Sequence, residues 1–582
     1  NELAGGKPYC AVAEVEASPS HNLLAYSVDF TSNEMYDIHI KDLFEGEELN
    51  DVLRNTSGDV AWGADDSCLY YFTTDAEMRP HKLWLHVLGT PQEEDKLLFT
   101  EDDQMFWMGV CKSDSRRFVM LNSGSKETSE EHMIDLSGVQ GGEGHRAAPL
   151  VCIQPRVANL RYSCEHHGEH LYVITNADGA INMKLMRTPL TATGRENWEE
   201  VVAYDANRQI SALLAFERYV VLSGRQGGIT RLWVCTAGPT LGPMEEVEFD
   251  EDTYVAHTSG NLEFDADVVR LHYASLTTPS TIIDLNMATK ERTIVKRQPV
   301  PGYDPSLYAS ERVEAIARDG RRVPISLVYR KDAAPTRPRP TVLYGYGSYG
   351  DCTEPGFDYT RISLLDRGCT YAIAHVRGGG EMGRWWYEEE GKYLTKMNTF
   401  TDFVDCAQHL ILNGYAAAGR VACLGRSAGG LLIGAVLNMR PDLFKVAIAD
   451  VPFVDVLNTM ADPSIPLTVT EWEEWGNPNE ARFFEYMLRY SPCDNVKAQA
   501  YPAMLVTGGL HDPRVPYWEP CKWVAKLRDT KTDDNELLLK IDMSAGHFSA
   551  SDRYKYMKER AFEFSFLLNQ LGTEETLPPP AA

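Results

Sequence analysis

The chain is predicted to fold as two unlike domains, a β-propeller over residues 1–302 and a doubly wound, mostly parallel α/β domain over 303–582. Three observations predict this. Short strand-like segments recur about every 50 residues through the first half. Strand and helix patterns alternate through the second half. At 582 residues the chain is also too long for one ordinary hydrophobic core.

The repeats are centred on Leu24, Tyr70, Val119, Tyr172, Val221 and Leu271, each in a run of apolar and aromatic residues. Polar turn clusters at 18–21 and 63–67 precede two of them. Further strand patterns follow a turn later, at 82–86 and 231–234. A four-stranded unit at this interval is the pattern of a propeller, whose radial packing leaves only short edges exposed. Six units are visible, more than a β-sandwich of this size would show. Near 298–305 the pattern changes. A hairpin is predicted at 311–317 and 323–329 around the turn Arg318-Asp319-Gly320. Strands at 370–375, 421–424 and 446–450 and a helix at 398–412 then imply a parallel sheet covered on both faces.

The chemistry is concentrated in this second half. Gly425-Arg426-Ser427-Ala428-Gly429-Gly430 fits the G-x-S-x-G nucleophile elbow, a sharp turn between a buried strand and a helix. Apolar residues 421–424 supply the strand and 431–437 the helix. Small residues at 428–430 let the turn and helix pack closely. A serine hydroxyl needs a base and an orienter, and α/β-hydrolases place them in the order Ser, acid, His. Asp512 follows the strand pattern 503–509, and His547 follows the strand pattern 536–541. Ser427 is therefore assigned the attack, His547 the proton transfer and Asp512 the holding of the imidazole. His511 is the competing base, poorly placed beside the acid. The backbone N–H of Ala428 is one oxyanion donor, and the Gly/Tyr-rich stretch 344–350 is the candidate source of a second.

Composition narrows the class. The chain is 43 % hydrophobic and 24 % charged, as globular proteins are. No apolar run approaches the ~18 residues of a membrane span, and no signal-peptide pattern opens the chain. Twelve cysteines lack C-x-x-C or zinc spacing, which points to reduced core residues and a cytoplasmic setting. No metal or organic cofactor is indicated. A net charge of −28 argues against nucleic acid and anionic membrane as partners and is compatible with attracting cationic ligands.

With these residues in place the chain resembles the prolyl oligopeptidase family, and within it the oligopeptidase B branch, most closely the trypanosomatid enzymes. The shared motifs are Gly-Arg-Ser-Ala-Gly-Gly, Tyr-Gly-Tyr-Gly-Ser-Tyr-Gly at 344–350, His-Val-Arg-Gly-Gly-Gly-Glu at 375–381 and His-Asp-Pro-Arg-Val at 511–515. The resemblance implies an α/β-hydrolase catalytic domain, cytoplasmic location and endopeptidase activity on short basic peptides. It makes Tyr346 the side-chain oxyanion donor, has Arg514 bind a substrate carbonyl, and places Tyr349 among the substrate-binding residues. Glu471 and Glu473 match the acids that set an Arg/Lys preference before the cleaved bond. Taken alone, such an acidic run is more often a solvated helix end. Glu354 matches a residue of the next subsite, but Gly356 stands where bacterial relatives carry a second acid, so a dibasic preference is not implied. The resemblance also implies a homodimer. Family propellers have seven blades and a preceding helical segment, so this chain is expected to be part of a longer protein whose N-terminal segment accompanies it or was lost after folding. Two other readings remain open: a proline-specific oligopeptidase or esterase on the same scaffold, and a non-catalytic propeller interaction protein.

Overall fold

The computed structural model describes residues 2–7, 9–333, 338–548, 553–573 and 575; the Pro-rich end of the chain, 576–582, lies outside them. Six antiparallel four-stranded units make up the first half. The repeat centres all fall on the second strand of a unit: Leu23–Asp29, Cys68–Thr74, Phe118–Gly124, His170–Thr175, Tyr219–Gln226 and Val268–Ser275. Most of these strands are buried on both faces along their central residues. Tyr70 and Phe72, for example, pack with Met108, Val119 and Leu121 of the next unit. Continuous burial explains why most of them read as apolar runs, whereas Val268–Ser275, with Arg270 and His272 only partly buried, alternates.

The first two units are joined in a way the repeat does not reveal. One 15-residue strand, Glu48–Trp62, closes the first unit and opens the second. Its early residues pair with Tyr36–Asp42 and its late residues with Cys68–Thr74. The two units thereby form one seven-stranded sheet.

The second half is built on an eight-stranded sheet. Tyr308–Ile316 and Arg322–Arg330 form the antiparallel hairpin at one edge. Six parallel strands follow in the order Thr370–Ala374, Arg339–Tyr344, Ala416–Arg426, Val446–Asp450, Ala503–Gly509 and Leu537–Asp542. Successive residues of the central strand enter opposite cores. Val421 and Cys423 face one, with the helices Met397–Leu412, Ala428–Met439 and Trp518–Thr530. Ala422 and Leu424 face the other, with Ile362–Leu365 and Arg553–Leu571. Each fully buried large apolar side chain contributes roughly 1.5–3 kcal/mol, so neither helical layer is dispensable. The twelve cysteines are unpaired, and among the described residues no helix is long and apolar enough to cross a membrane.

This topology sets the place of the chemistry. Ser427, Asp512, His547 and Tyr346 all follow the carboxyl ends of parallel strands, where open α/β sheets form their binding crevice.

Candidate active site

The elbow is strained and closely packed. Ser427 has φ 57° and ψ −118°, a conformation costing a non-glycine residue on the order of 1–3 kcal/mol. Its neighbours hold it there. Its N–H donates to the Asp450 carbonyl at 2.9 Å, and its carbonyl accepts from Leu431 and Phe453 N–H at 3.1 and 3.2 Å. A Cβ at Gly430 would stand 2.5 Å from Pro452 Cα, and one at Gly429 2.8 Å from the Gly345 carbonyl oxygen. Only glycines let the helix start against both loops.

Asp512 and His547 are buried and joined, His547 Nδ1 to Asp512 Oδ2 at 2.7 Å. The other carboxylate oxygen, Oδ1, accepts from the N–H groups of Arg514 and Val515 at 2.9 and 2.8 Å. A carboxylate fixed by two amides can hold the imidazole with its other ring nitrogen turned outward. Arg426, beside the serine, donates to the His547 carbonyl and pairs with Asp450. One arginine thus ties the serine turn to the histidine loop. His511 is exposed and takes no place in the cavity.

Ser427 and His547 line one cavity of about 570 Å³. Ala428 opens its helix, so its N–H has no intrahelical acceptor and stands at the positive end of the helix dipole. Tyr346 lines the same cavity. Burial first, then the carboxylates of Asp351 and Glu471, push its phenol well above the ordinary value, so its hydroxyl remains a donor. Tyr349 also lines it and donates to Glu471 Oε2 at 2.7 Å.

The two acids of the helix Thr468–Trp475 part company. Residues two apart on a helix do not share a face. Glu471 looks into the cavity, where its carboxylate meets Tyr349, Trp475 Nε1 at 2.9 Å and the Lys126 ammonium at 3.0 Å. Glu473 does not line that cavity. It turns to the propeller, accepting from Ser125 Oγ at 3.1 Å and Lys126 N–H at 2.7 Å, and burial raises its carboxyl above the usual range. Glu354 is likewise engaged by a propeller residue, the guanidinium of Arg225. Arg514 reaches the cavity but is paired with Glu34 at 2.6 Å.

Sequence reading missed Lys126, Glu34 and Ser32, whose hydroxyl accepts from Gly546 N–H at 2.7 Å. Nothing in a single sequence links a polar turn residue near the start of the chain to a loop some five hundred residues later. It also missed Phe453, which lines the cavity but reads as an ordinary apolar residue. Possible metal ligands gather among the described residues at Glu130, His132 and Cys152, within 4.8 Å of one another. Glu130 there already engages His132 and Arg156.

Residues 1–298 match the N-terminal β-propeller domain of prolyl oligopeptidase, and residues 355–574 match the prolyl oligopeptidase family domain. The chain is 42 % identical to dipeptidyl aminopeptidase BI of Pseudoxanthomonas mexicana, over 98 % of this chain and 78 % of that one. It is 42 % identical to protease 2 of Moraxella lacunata, over 99 % and 81 %. Oligopeptidase B from Trypanosoma brucei, a closed form with covalently bound antipain, superposes with a TM-score of 0.95 at 48 % identity, covering 99 % of this chain and 81 % of that chain. Oligopeptidase B from Leishmania major gives 0.95 at 44 %, with the same coverage. An elbow serine, a buried acid–histidine pair and a propeller beside them thus coincide with sequence identity along both domains, and the chain belongs to the prolyl oligopeptidase family as a serine-type peptidase similar to oligopeptidase B.

Proposed function

We propose that the protein hydrolyses short peptides on the carboxyl side of Arg or Lys through an acyl-enzyme. Ser427 Oγ attacks the scissile carbonyl as His547 takes its proton, with Asp512 stabilising the imidazolium. The N–H of Ala428 and the hydroxyl of Tyr346 receive the developing oxyanion. His547 returns the proton to the leaving amine, and water then repeats the sequence to release the acid.

The observation that carries the specificity is Glu471. Its carboxylate lies on the wall of the cavity that holds Ser427, framed by Tyr349 and Trp475, and already holds an ammonium. A substrate guanidinium or ammonium suits the same position. Glu473 serves this site indirectly, by anchoring the propeller turn at 125–126. Arg514 and Glu354 meet the substrate only after parting from Glu34 and Arg225. The propeller, 1–302, covers the crevice of the catalytic domain, 303–582, and excludes folded substrates. A homodimer in the cytoplasm is the expected setting.

Glu471→Gln should lower kcat/KM on an Arg-amide by about a hundredfold, on the scale of a lost buried charge partner, while Ser427 still reacts with a fluorophosphonate. An unchanged Arg preference in that variant would sink the assignment of Glu471, and a wild type that cleaves a Pro-amide faster than the Arg-amide would favour the proline-specific reading. Absence of Ser427 labelling in the folded protein would favour the non-catalytic one.

A further inference from the structure

Lys126 reaches the cavity from the propeller. It lies in the turn between the strands Phe118–Gly124 and Ser129–Asp135. Its backbone is gripped at both ends by the catalytic domain: its N–H donates to Glu473, and its carbonyl accepts from Arg384 Nη2 at 3.2 Å. The side chain then extends into the cavity. Its ammonium lies 3.0 Å from Glu471 Oε1, 3.2 Å from the Thr470 carbonyl and 5.0 Å from the centre of the Tyr349 ring.

Those contacts are what a basic substrate side chain needs: a carboxylate, a carbonyl and an aromatic face. Both groups are mostly shielded, with 24 % of the Lys126 side chain and 21 % of that of Glu471 exposed. Without an internal cation the cavity would hold a largely desolvated carboxylate with no counter-charge, which is costly. With one, the carboxylate is neutralised by a residue of the same molecule.

We propose that Lys126 is an internal stand-in for the substrate's basic side chain: it occupies the cation site at Glu471 when no substrate is bound, and an incoming Arg or Lys side chain must displace it. The proposal rests on the reading of Glu471 as the specificity residue. Displacement needs no movement of Ser427 or His547. It sets a threshold that a neutral side chain, with nothing to offer Glu471, does not pass. It also links the arrival of a cation to release of the propeller side chain. Lys126 is thus a specificity-determining residue acting by competition.

The test is competitive inhibition by butylguanidine, a fragment of the arginine side chain, against a short Arg-amide in wild type, Lys126→Met and Lys126→Arg. Removing the competitor should lower the inhibition constant of the Met variant by about threefold to tenfold, the range of a modest ion pair. The Arg variant, with a guanidinium fitted to the carboxylate, should raise it. A far-UV circular dichroism spectrum and a thermal midpoint at the wild-type values show that each variant is folded. If the Met variant fails that check, the Arg variant decides alone. An inhibition constant unchanged in both variants overturns the proposal, as does one that rises in the Met variant, the behaviour of a mere structural latch. A wild-type enzyme that prefers no basic substrate and ignores butylguanidine would instead refute the reading of Glu471, and the proposal with it.

Discussion

At the scale of single residues, the site depends on groups held before substrate arrives. Asp512 is fixed by two amides, and Ser427 is kept in a conformation its own chain disfavours. Tyr346 is a donor whose proton burial protects. Tyr346→Phe removes only a hydroxyl. It is expected to lower kcat by about 10²–10³-fold, the cost of one oxyanion donor, with little change in KM on an Arg-amide. A fall in kcat/KM carried by KM would place this hydroxyl in ground-state binding instead. Much of this scale was legible in the sequence. The residues at 425–430, Asp512 and His547 occur in a fixed order, each after an apolar run. The place of Glu471 on the cavity wall was only half legible, because an acidic run beside Trp472 and Trp475 is more often a solvated helix end than a pocket. The differing fates of Glu471 and Glu473 follow from helix geometry and from where the propeller lies.

Elements carry the next level of control. The segment from Phe453 to Thr468 leads into the helix that bears Glu471, and Glu519 pins it. That buried carboxylate accepts from Val454 and Asp455 N–H at 2.8 and 2.9 Å and from Thr459 Oγ1 at 2.6 Å. Burial nevertheless raises its pKa from 4.5 to about 7. Between those values the folded state holds more protons than the unfolded one. Stability from this group is therefore greatest at the acid end and is lost as pH rises toward neutrality. Glu519→Gln cannot ionise. Wild type should lose on the order of 1–3 kcal/mol relative to this variant between about pH 5 and about pH 7.5, read from denaturant midpoints at each pH. A constant difference would show that Glu519 titrates elsewhere. The strands and helices themselves were well marked in sequence: Val446–Asp450 and Ala503–Gly509 stand where their apolar runs lie. The double duty of Glu48–Trp62 was not, since a strand shared by two units has no pattern distinct from two strands joined by a turn.

In the whole molecule, charge pairs cross between the halves around the crevice. Glu34 meets Arg514, Arg225 meets Glu354, and Glu127 meets Lys392 at 2.8 Å. None of these pairs was readable from sequence, because nothing in a single chain links charged residues so far apart along it. Arg225→Gln combined with Glu127→Gln loosens two of these contacts without touching Ser427, Asp512 or His547. The double variant is expected to scatter as a more expanded particle and to cleave a longer unfolded polypeptide that wild type spares. Cleavage of that polypeptide by wild type at the rate of a short peptide would refute the proposal that the propeller limits substrate size.

The strand Glu48–Trp62 bears on where such a ring can yield. Two neighbouring blades that share one strand cannot swing apart without tearing a ladder of hydrogen bonds, whereas the later blades form separate sheets joined by single backbone bonds, such as Ile210 N–H to the Asn182 carbonyl, and by side chains. Any sideways gaping of the propeller is therefore directed away from its first joint, which acts as a rivet, and toward the joints farther along the ring.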